Sequence, residues 1–284
     1  MGLGGYLTWT AAAREIRQTV GEDVRLLPVE QLSSGFLKLI KSDVFRNNPD
    51  FLMHDGNVYD NNQIAFPLVL NNPDANYCKR DDAERAYHRG DSHIIHQICE
   101  CYGIKNPELK CVLYLDAEEE AFAYDFHHCG LGEERFITIE PFSKDNYTPN
   151  RLYPFEKWQK IVNSLCDEIK IVQVGNAGRL LDNVINLTGE TTFREAIALI
   201  GRSSLFMSSE SGLVHGATAV DTKSLVIITG YQDERMVAYP QNINVNISSH
   251  GPCGLKAKCP TCERDSKNHD YQEIVSLARG ELCL

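Results

Sequence analysis

Ser208-Ser209-Glu210-Ser211-Gly212, with His215 close behind, gathers hydroxyls, a carboxylate, a glycine and an imidazole in one short stretch. Leu205 to Met207 ahead of it is apolar, and the segment running on to Val220 is rich in alanine and other helix-compatible residues. This reads as a strand, a tight turn and a helix whose first turn is left open. Ser209 or Ser211 can cap that helix, and Gly212 lets backbone approach a ligand without a Cβ in the way. The free N–H groups and the positive end of the helix dipole suit a phosphate or another anion. Glu210 does not, because a carboxylate repels phosphate; it is suited to accept hydrogen bonds from hydroxyls, such as those of a sugar. Alone, the turn is that of any α/β domain. Its neighbours change the reading.

Three further loops carry residues of the same kind. Ser143, Lys144 and Arg151 follow the apolar run ending at Ile139, Gly175 and Asn176 follow Val174, and Tyr231 follows Ile228. Near the end of the chain, Cys253-x5-Cys259-x2-Cys262 lies among Gly251, Pro252, Gly254 and Pro260, with Cys283 further on. Turn-rich sequence around Cys-x2-Cys presents thiolates to one ion, so a structural zinc or iron site is expected, with Cys283 or His269 as the fourth ligand. His93 and His96 share a helix face but have no third ligand nearby, so they read as core or solvated histidines.

The elements that must position these residues are clearest in the second half. Residues 136–140 form a strand, Pro154 opens a helix, 169–174 form a strand, 192–200 a helix, and 225–228 the strand after the 205–220 unit. Alternating strands and helices predict a doubly wound parallel sheet, whose ligands bind outside the carboxyl ends of the strands. All four polar loops fall on that edge, and their composition is that of a sugar-phosphate site. The first half is harder to read. Gly2-Leu3-Gly4-Gly5 looks like a glycine-rich loop opening a helix at Ala11, with no strand before it, as if the first strand were missing. Residues 36–40 look helical, 64–70 and 112–115 look like strands, and 92–104 look like a helix stopped by Gly103. The acidic run Glu118 to Glu120 reads as a solvated helix start.

Composition bounds the function. With 284 residues, 43% of them hydrophobic, the chain can bury a large core and has room for two domains. A formal net charge of −11 excludes broad binding to nucleic acid or anionic lipid, leaving at most peripheral membrane contact. Ten cysteines without a disulfide framework read as reduced thiols, and no apolar run or leader of secretory type is present. A cytoplasmic location is expected.

At the quoted loops the chain resembles the ADP-heptose heptosyltransferases of glycosyltransferase family nine. The cues are Arg-Leu-Tyr-Pro-Phe-Glu-Lys-Trp at 151–158, Val-Gly at 174–175, Asn-Leu-Thr-Gly at 186–189, Thr-Phe-Arg-Glu at 192–195 and Ser-Glu-Ser-Gly-Leu-Val-His at 209–215. Weaker cues in the first half are Gly-Leu-Gly-Gly at 2–5, Phe-Arg-Asn-Asn-Pro at 45–49 and the 92–104 segment. The resemblance implies an α/β fold of two Rossmann-like domains in the B-type glycosyltransferase arrangement. They would span residues 1–132 on the acceptor side and 133–284 on the nucleotide-sugar side, with the active cleft between them.

It further implies inverting transfer of a sugar, heptose by analogy, from a nucleotide-diphospho-sugar to a saccharide, lipid-linked or protein acceptor. No cofactor is required for that chemistry. Arg151 falls where the family has a lysine on the donor diphosphate, Ser143 and Lys144 lie near a hydroxyl residue of the same duty, and Gly175 belongs to the same set. Glu210-Ser211-Gly212 replaces Asp-Thr-Gly, and His215 matches a family histidine. Heptosyltransferase-like enzymes that modify autotransporters carry cysteine-bound iron near this end, which agrees with a site at Cys253, Cys259, Cys262 and Cys283. One departure stands out: Gly5 occupies the place of the family aspartate that can deprotonate the acceptor, so the catalytic base is unassigned. The alternatives are a non-catalytic nucleotide-sugar-binding subunit and a sugar-nucleotide epimerase.

Overall fold

Short apolar strands with helices between them bury both faces of a sheet, and the strand residues sort accordingly. In the computed structural model, which describes residues 2–21, 23–52, 64–72, 78–80, 86–88, 92–142 and 147–284, the first half holds helix α1 (Leu3–Val20) and strands β1 (Val24–Gln31), β2 (Leu37–Leu39) and β3 (Ile64–Val69). A small ribbon, β4 (Cys78–Arg80) and β5 (Ala86–His88), and helices α2 (Ile94–Glu100) and α3 (Ala117–Asp125) complete it. The second half runs β6 (Phe136–Glu140), α4 (Phe155–Leu165), β7 (Lys170–Gln173), β8 (Ile185–Asn186), α5 (Phe193–Ile200), β9 (Phe206–Ser209) and α6 (Gly212–Ala219). It closes with β10 (Ser224–Ile228), α7 (Glu234–Val237), β11 (Ile243–Asn246), α8 (Pro260–Asn268) and α9 (Tyr271–Leu282).

Six strands of the second half form one parallel sheet in the order β11-β10-β9-β6-β7-β8. The chain winds outward from β6 to β8, returns to β9 beside β6, and winds outward again. The β6/β9 boundary is therefore the topological switch point, the place at the strands' carboxyl ends where open α/β sheets in general bind ligands. Side-chain alternation explains why both faces are covered. Phe136, Phe206, Val226 and Ile228 join a core that also contains Leu7, Trp9, Phe45 and Ile95 from the first half. Ile137, Ile139, Met207, Leu225 and Ile227 face a second core with Trp158, Ile161 and Ile274. Among the described residues, no helix is long and apolar enough to cross a membrane.

Several first-half expectations give way to tertiary context. Gly2 to Gly5 do not form a loop: the helix starts at Leu3, and Gly4 lies inside it. A Cβ on Gly4 would stand 2.7 Å from the Gly212 Cα, so glycine there permits α1 to cross closely over the start of α6. Residues 37–39 pair antiparallel with β1 rather than coil into a helix. Residues 112–115 join no sheet; the Val112 N–H donates instead to Thr10 Oγ1 at 2.9 Å.

The acidic run at α3 is a helix start with a capping box between Asp116 and Glu119, yet Glu119 is not solvated. It lies 5% exposed against Arg194 of α5, with Arg194 Nε donating to its Oε1 at 2.6 Å and Nη2 to its Oε2 at 2.8 Å. Arg194 also donates to the carbonyls of Asp43 and Tyr114, and Arg46 joins the same carboxylate. Helical spacing alone gives no hint of that partner, 75 residues away in sequence.

Candidate functional site

The turn at Ser208 to Gly212 lies at the switch point. Glu210 follows β9 and is 3% exposed, with Oε2 facing Arg151 Nε at 3.4 Å and Oε1 buried without a hydrogen-bond partner. Burial pushes its carboxyl up to about 7, against the opposing pull of the Arg151 charge. Arg151 ends a 3-10 turn, Pro149–Arg151, that Thr148 caps. Its guanidinium lies over the Tyr147 ring at 5.6 Å and the Tyr231 ring at 5.3 Å, and it donates to the Gln232 side-chain carbonyl. The two tyrosine rings meet edge-on, so the arginine is aimed from two sides.

His215, in the first turn of α6, places Nδ1 2.6 Å from the Tyr239 hydroxyl, which also lies 3.3 Å from the Cys111 thiol. Burial, and then the Arg151 charge, lower its pKa to about 4, so it is neutral at physiological pH. His93 packs edge-on against the same tyrosine and is buried, as expected of a core histidine; His96 bonds the Lys105 carbonyl. Ser211 is the N-cap residue of α6 but makes no capping bond, contrary to the role expected for its hydroxyl. Gly175 has φ +111°, and a Cβ there would press within 3.1 Å of Glu140 Cγ. The structure thus brings Arg151, Glu210, Ser211, Gly212 and His215 to one edge, with Gly175 beside them; Ser143 and Lys144 lie outside the described residues.

The cysteine stretch folds onto the same edge. His250 Nε2 lies 3.8 Å from Cys259 Sγ and 3.9 Å from Cys262 Sγ, and these three donor atoms lie within 4.8 Å of one another. The Cys253 thiol lies beside them, and the interaction with Cys262 is the largest effect drawing its pKa down. Ligands around a tetrahedral zinc or iron stand about 3.6 Å apart, so His250, Cys259 and Cys262 fit three positions around such an ion, and Cys253 is the neighbouring thiol. His250 Nδ1 faces Asp265 Oδ2 at 3.6 Å, the carboxylate that would orient a ligating imidazole.

Neither fourth ligand expected from sequence takes part. Cys283 is exposed at the C-terminal end of α9, in the left-handed conformation that terminates the helix. His269 has both ring nitrogens engaged, with the Tyr153 hydroxyl at 2.8 Å and Glu273 at 3.1 Å. Sequence reasoning missed His250, although His250-x2-Cys253 repeats the spacing of Cys259-x2-Cys262. It also missed Asn150, the residue before Arg151. Asn150 Nδ2 donates to the Leu255 and Ala257 carbonyls at 2.8 Å, and its Oδ1 accepts from the Cys259 N–H at 2.8 Å. The loop carrying the thiols and the turn carrying Arg151 are thereby fastened together.

A family model described as glycosyltransferase family 9 (heptosyltransferase) matches residues 92–266, more than half of the chain. The chain belongs to glycosyltransferase family 9. No curated protein matches it by sequence. Among solved structures, it is similar to the dodecameric iron-containing heptosyltransferase TibC of E. coli, determined in complex with ADP-D-beta-D-heptose, with a TM-score of 0.62 at 15% identity, over 99% of this chain and 75% of that one. ADP-heptose lps heptosyltransferase II of E. coli follows with a TM-score of 0.52 at 15% identity, over 68% and 62%. A family 9 glycosyltransferase from Veillonella parvula has 0.53 at 13%, over 69% and 61%. This family 9 chain thus spans about six tenths of the length of the latter two. At such identities the likeness is one of fold, and the site must be read from its own residues.

Proposed function

We propose that the chain is an inverting glycosyltransferase that binds a nucleotide-diphospho-sugar, ADP-heptose by analogy with its family, at the carboxyl edge of the six-stranded sheet. The acceptor is a saccharide, a lipid-linked sugar or a protein. The observation that carries this reading is the meeting of Arg151, Glu210 and the uncapped start of α6 at the switch point of a family 9 chain. In this reading residues 133–284 hold the donor, residues 1–132 face the acceptor across a cleft, and the protein works in the cytoplasm.

Displacement at the anomeric carbon builds negative charge on the departing diphosphate. Arg151 and the first N–H groups of α6 stabilise that charge, while Glu210 accepts hydrogen bonds from sugar hydroxyls. Ser143, Lys144 and Gly175 complete the proposed donor contacts, and His215 stands beside them as a neutral imidazole. His250, Cys253, Cys259 and Cys262 would hold a zinc or iron ion in a structural role, ordering the loop against the Arg151 turn.

Calorimetry with ADP-heptose, paired with a turnover assay, tests the assignment. Arg151→Ala should weaken binding by about 1.5–3 kcal/mol, the range for a hydrogen bond to a charged group; unchanged affinity would remove Arg151 from the donor site. Glu210→Gln should reduce affinity for the nucleotide-sugar more than for bare ADP. Equal losses would limit Glu210 to a structural part. One observation favours a second reading, a binding subunit without turnover: Gly4 and Gly5 are folded into α1 and bring no carboxylate. Tight binding without sugar transfer to any acceptor would select it.

A further inference from the structure

Two aromatic rings of different burial enclose Arg151. Tyr231 is fully buried, whereas Tyr147 stands at the surface, 37% exposed. The rings meet edge-on, with 82° between their planes and 5.8 Å between their centres, and the Tyr231 hydroxyl donates to the Tyr147 hydroxyl at 3.3 Å. The guanidinium carbon lies 5.3 Å from the Tyr231 centre and 5.6 Å from the Tyr147 centre, within cation–π range of both. The edge of the guanidinium is used as well. Nε faces Glu210 Oε2 at 3.4 Å, and Nη2 donates to Gln232 Oε1.

The walls of this enclosure are anchored by contacts that do not involve the arginine. Tyr231 and Gln232 sit in the loop after β10. There the Cys253 N–H donates to the Gly230 carbonyl at 2.9 Å, and the Gly254 N–H to the Tyr231 carbonyl at 3.2 Å. Thr229 Oγ1 donates to the Asn150 carbonyl at 2.6 Å, which ties the end of β10 to the turn carrying Arg151. Thr148 caps that turn and donates its hydroxyl to the Leu255 carbonyl at 2.9 Å. Rings and backbone thus fix where the guanidinium lies before a ligand arrives.

A free arginine side chain loses rotamer freedom when it grips a diphosphate, and that loss subtracts from affinity. In this enclosure the loss occurs on folding instead. A lysine gains nothing comparable: an ammonium has no flat faces to lay against two rings and no planar fork to reach both Glu210 and Gln232.

We propose that Tyr147, Tyr231 and Gln232 are positioning residues for donor binding: they hold the Arg151 guanidinium ready for the diphosphate, and they make arginine, not lysine, the cation this site requires. This rests on the donor reading above. The rings touch the arginine and act through it, so their effect on affinity depends on its presence.

The experiment is calorimetry of the full chain with ADP-heptose, arranged as a double-variant cycle. Tyr147→Leu and Tyr231→Leu should each weaken binding roughly five- to tenfold, the scale of a partly desolvated cation–π contact, while Tyr231→Phe, which keeps the ring, should stay within about twofold of wild type. With Arg151→Ala already present, the same leucine changes should cost almost nothing; a merely structural role for the rings would cost as much as before. Arg151→Lys should lose roughly tenfold or more although it keeps the charge. Tyr147→Leu alters a surface ring, so the cycle can be completed even if Tyr231→Leu does not fold. Equal losses with and without Arg151→Ala, rings removed at no cost, or lysine binding as tightly as arginine overturns the inference and leaves the donor site standing. Wild-type affinity in Arg151→Ala, or no binding of ADP-heptose by the wild type, overturns both.

Discussion

Purified protein should contain about one zinc or iron ion per chain, and removing it should loosen both the 250–262 loop and the grip on the donor. The donor set is the thiols of Cys259 and Cys262 with the His250 imidazole, and Cys253 beside them, a soft combination that selects zinc or iron over magnesium or calcium. Structural zinc in small peptides contributes apparent binding energies of about 10–16 kcal/mol near neutral pH, far more than any other local interaction in this loop. Elemental analysis gives the stoichiometry, and limited proteolysis before and after chelation reports the order of the loop.

The rest of the chain has its own cores and should stay folded after chelation. Asn150 extends the effect to the donor site. Its amide holds the Leu255 and Ala257 carbonyls and the Cys259 N–H, and the next residue is Arg151. Affinity for ADP-heptose should therefore drop on chelation and return with the ion. By reciprocity, bound donor should tighten binding of the ion by the same factor. Metal-free protein whose thiols titrate readily while the loop resists protease would refute the site. Serine at Cys259 or Cys262 should empty it, whereas serine at the exposed Cys283 should leave it filled.

Arg194→Ala should destabilise the folded chain by up to about 3–5 kcal/mol, the cost of removing one partner of a buried ion pair, with Arg46 left as the remaining cation on the Glu119 carboxylate. Arg194 and Glu119 are 3% and 7% exposed at their side chains, and the pair joins α5 of the second half to α3 of the first. Urea unfolding followed by tryptophan fluorescence measures the loss, since Trp9 and Trp158 lie buried in the two cores. Glu119→Leu with Arg194→Leu should lose less than the sum of the single changes, because no charge is left unpaired. Burial alone would raise the pKa of Glu119, but its bonds to Arg194 and to the Asp116 backbone hold it below the ordinary value. A folded-state pKa below the unfolded one gives stability that is present above about pH 4.3 and lost as pH falls further, because the unfolded chain then binds the extra proton. The difference between wild type and Arg194→Ala should accordingly shrink in acid. A constant gap down to pH 3 would mean that the pair acts by packing rather than by charge.

Local pattern was enough wherever the physics is local. Apolar runs of strand length spaced by helical segments determined the parallel sheet, and the small polar turn at Ser208 to Gly212 marked the edge where a ligand binds. Cys259-x2-Cys262 determined that an ion was worth expecting. Tertiary structure decided what depends on residues distant in sequence. It turned Gly2 to Gly5 from a loop into a helix start, because the close approach that glycine permits is to Gly212. It moved Glu119 from solvent to a buried pair with Arg194, and left residues 112–115 outside any sheet. It put His250 in place of Cys283 and fastened the thiol loop to Arg151 through Asn150. Glu140 shows the division most clearly. From sequence it is the last residue of a strand; only the return of β9 beside β6 sets it between Ser208 and Gly175, and burial there is what pushes its carboxyl up to about 7.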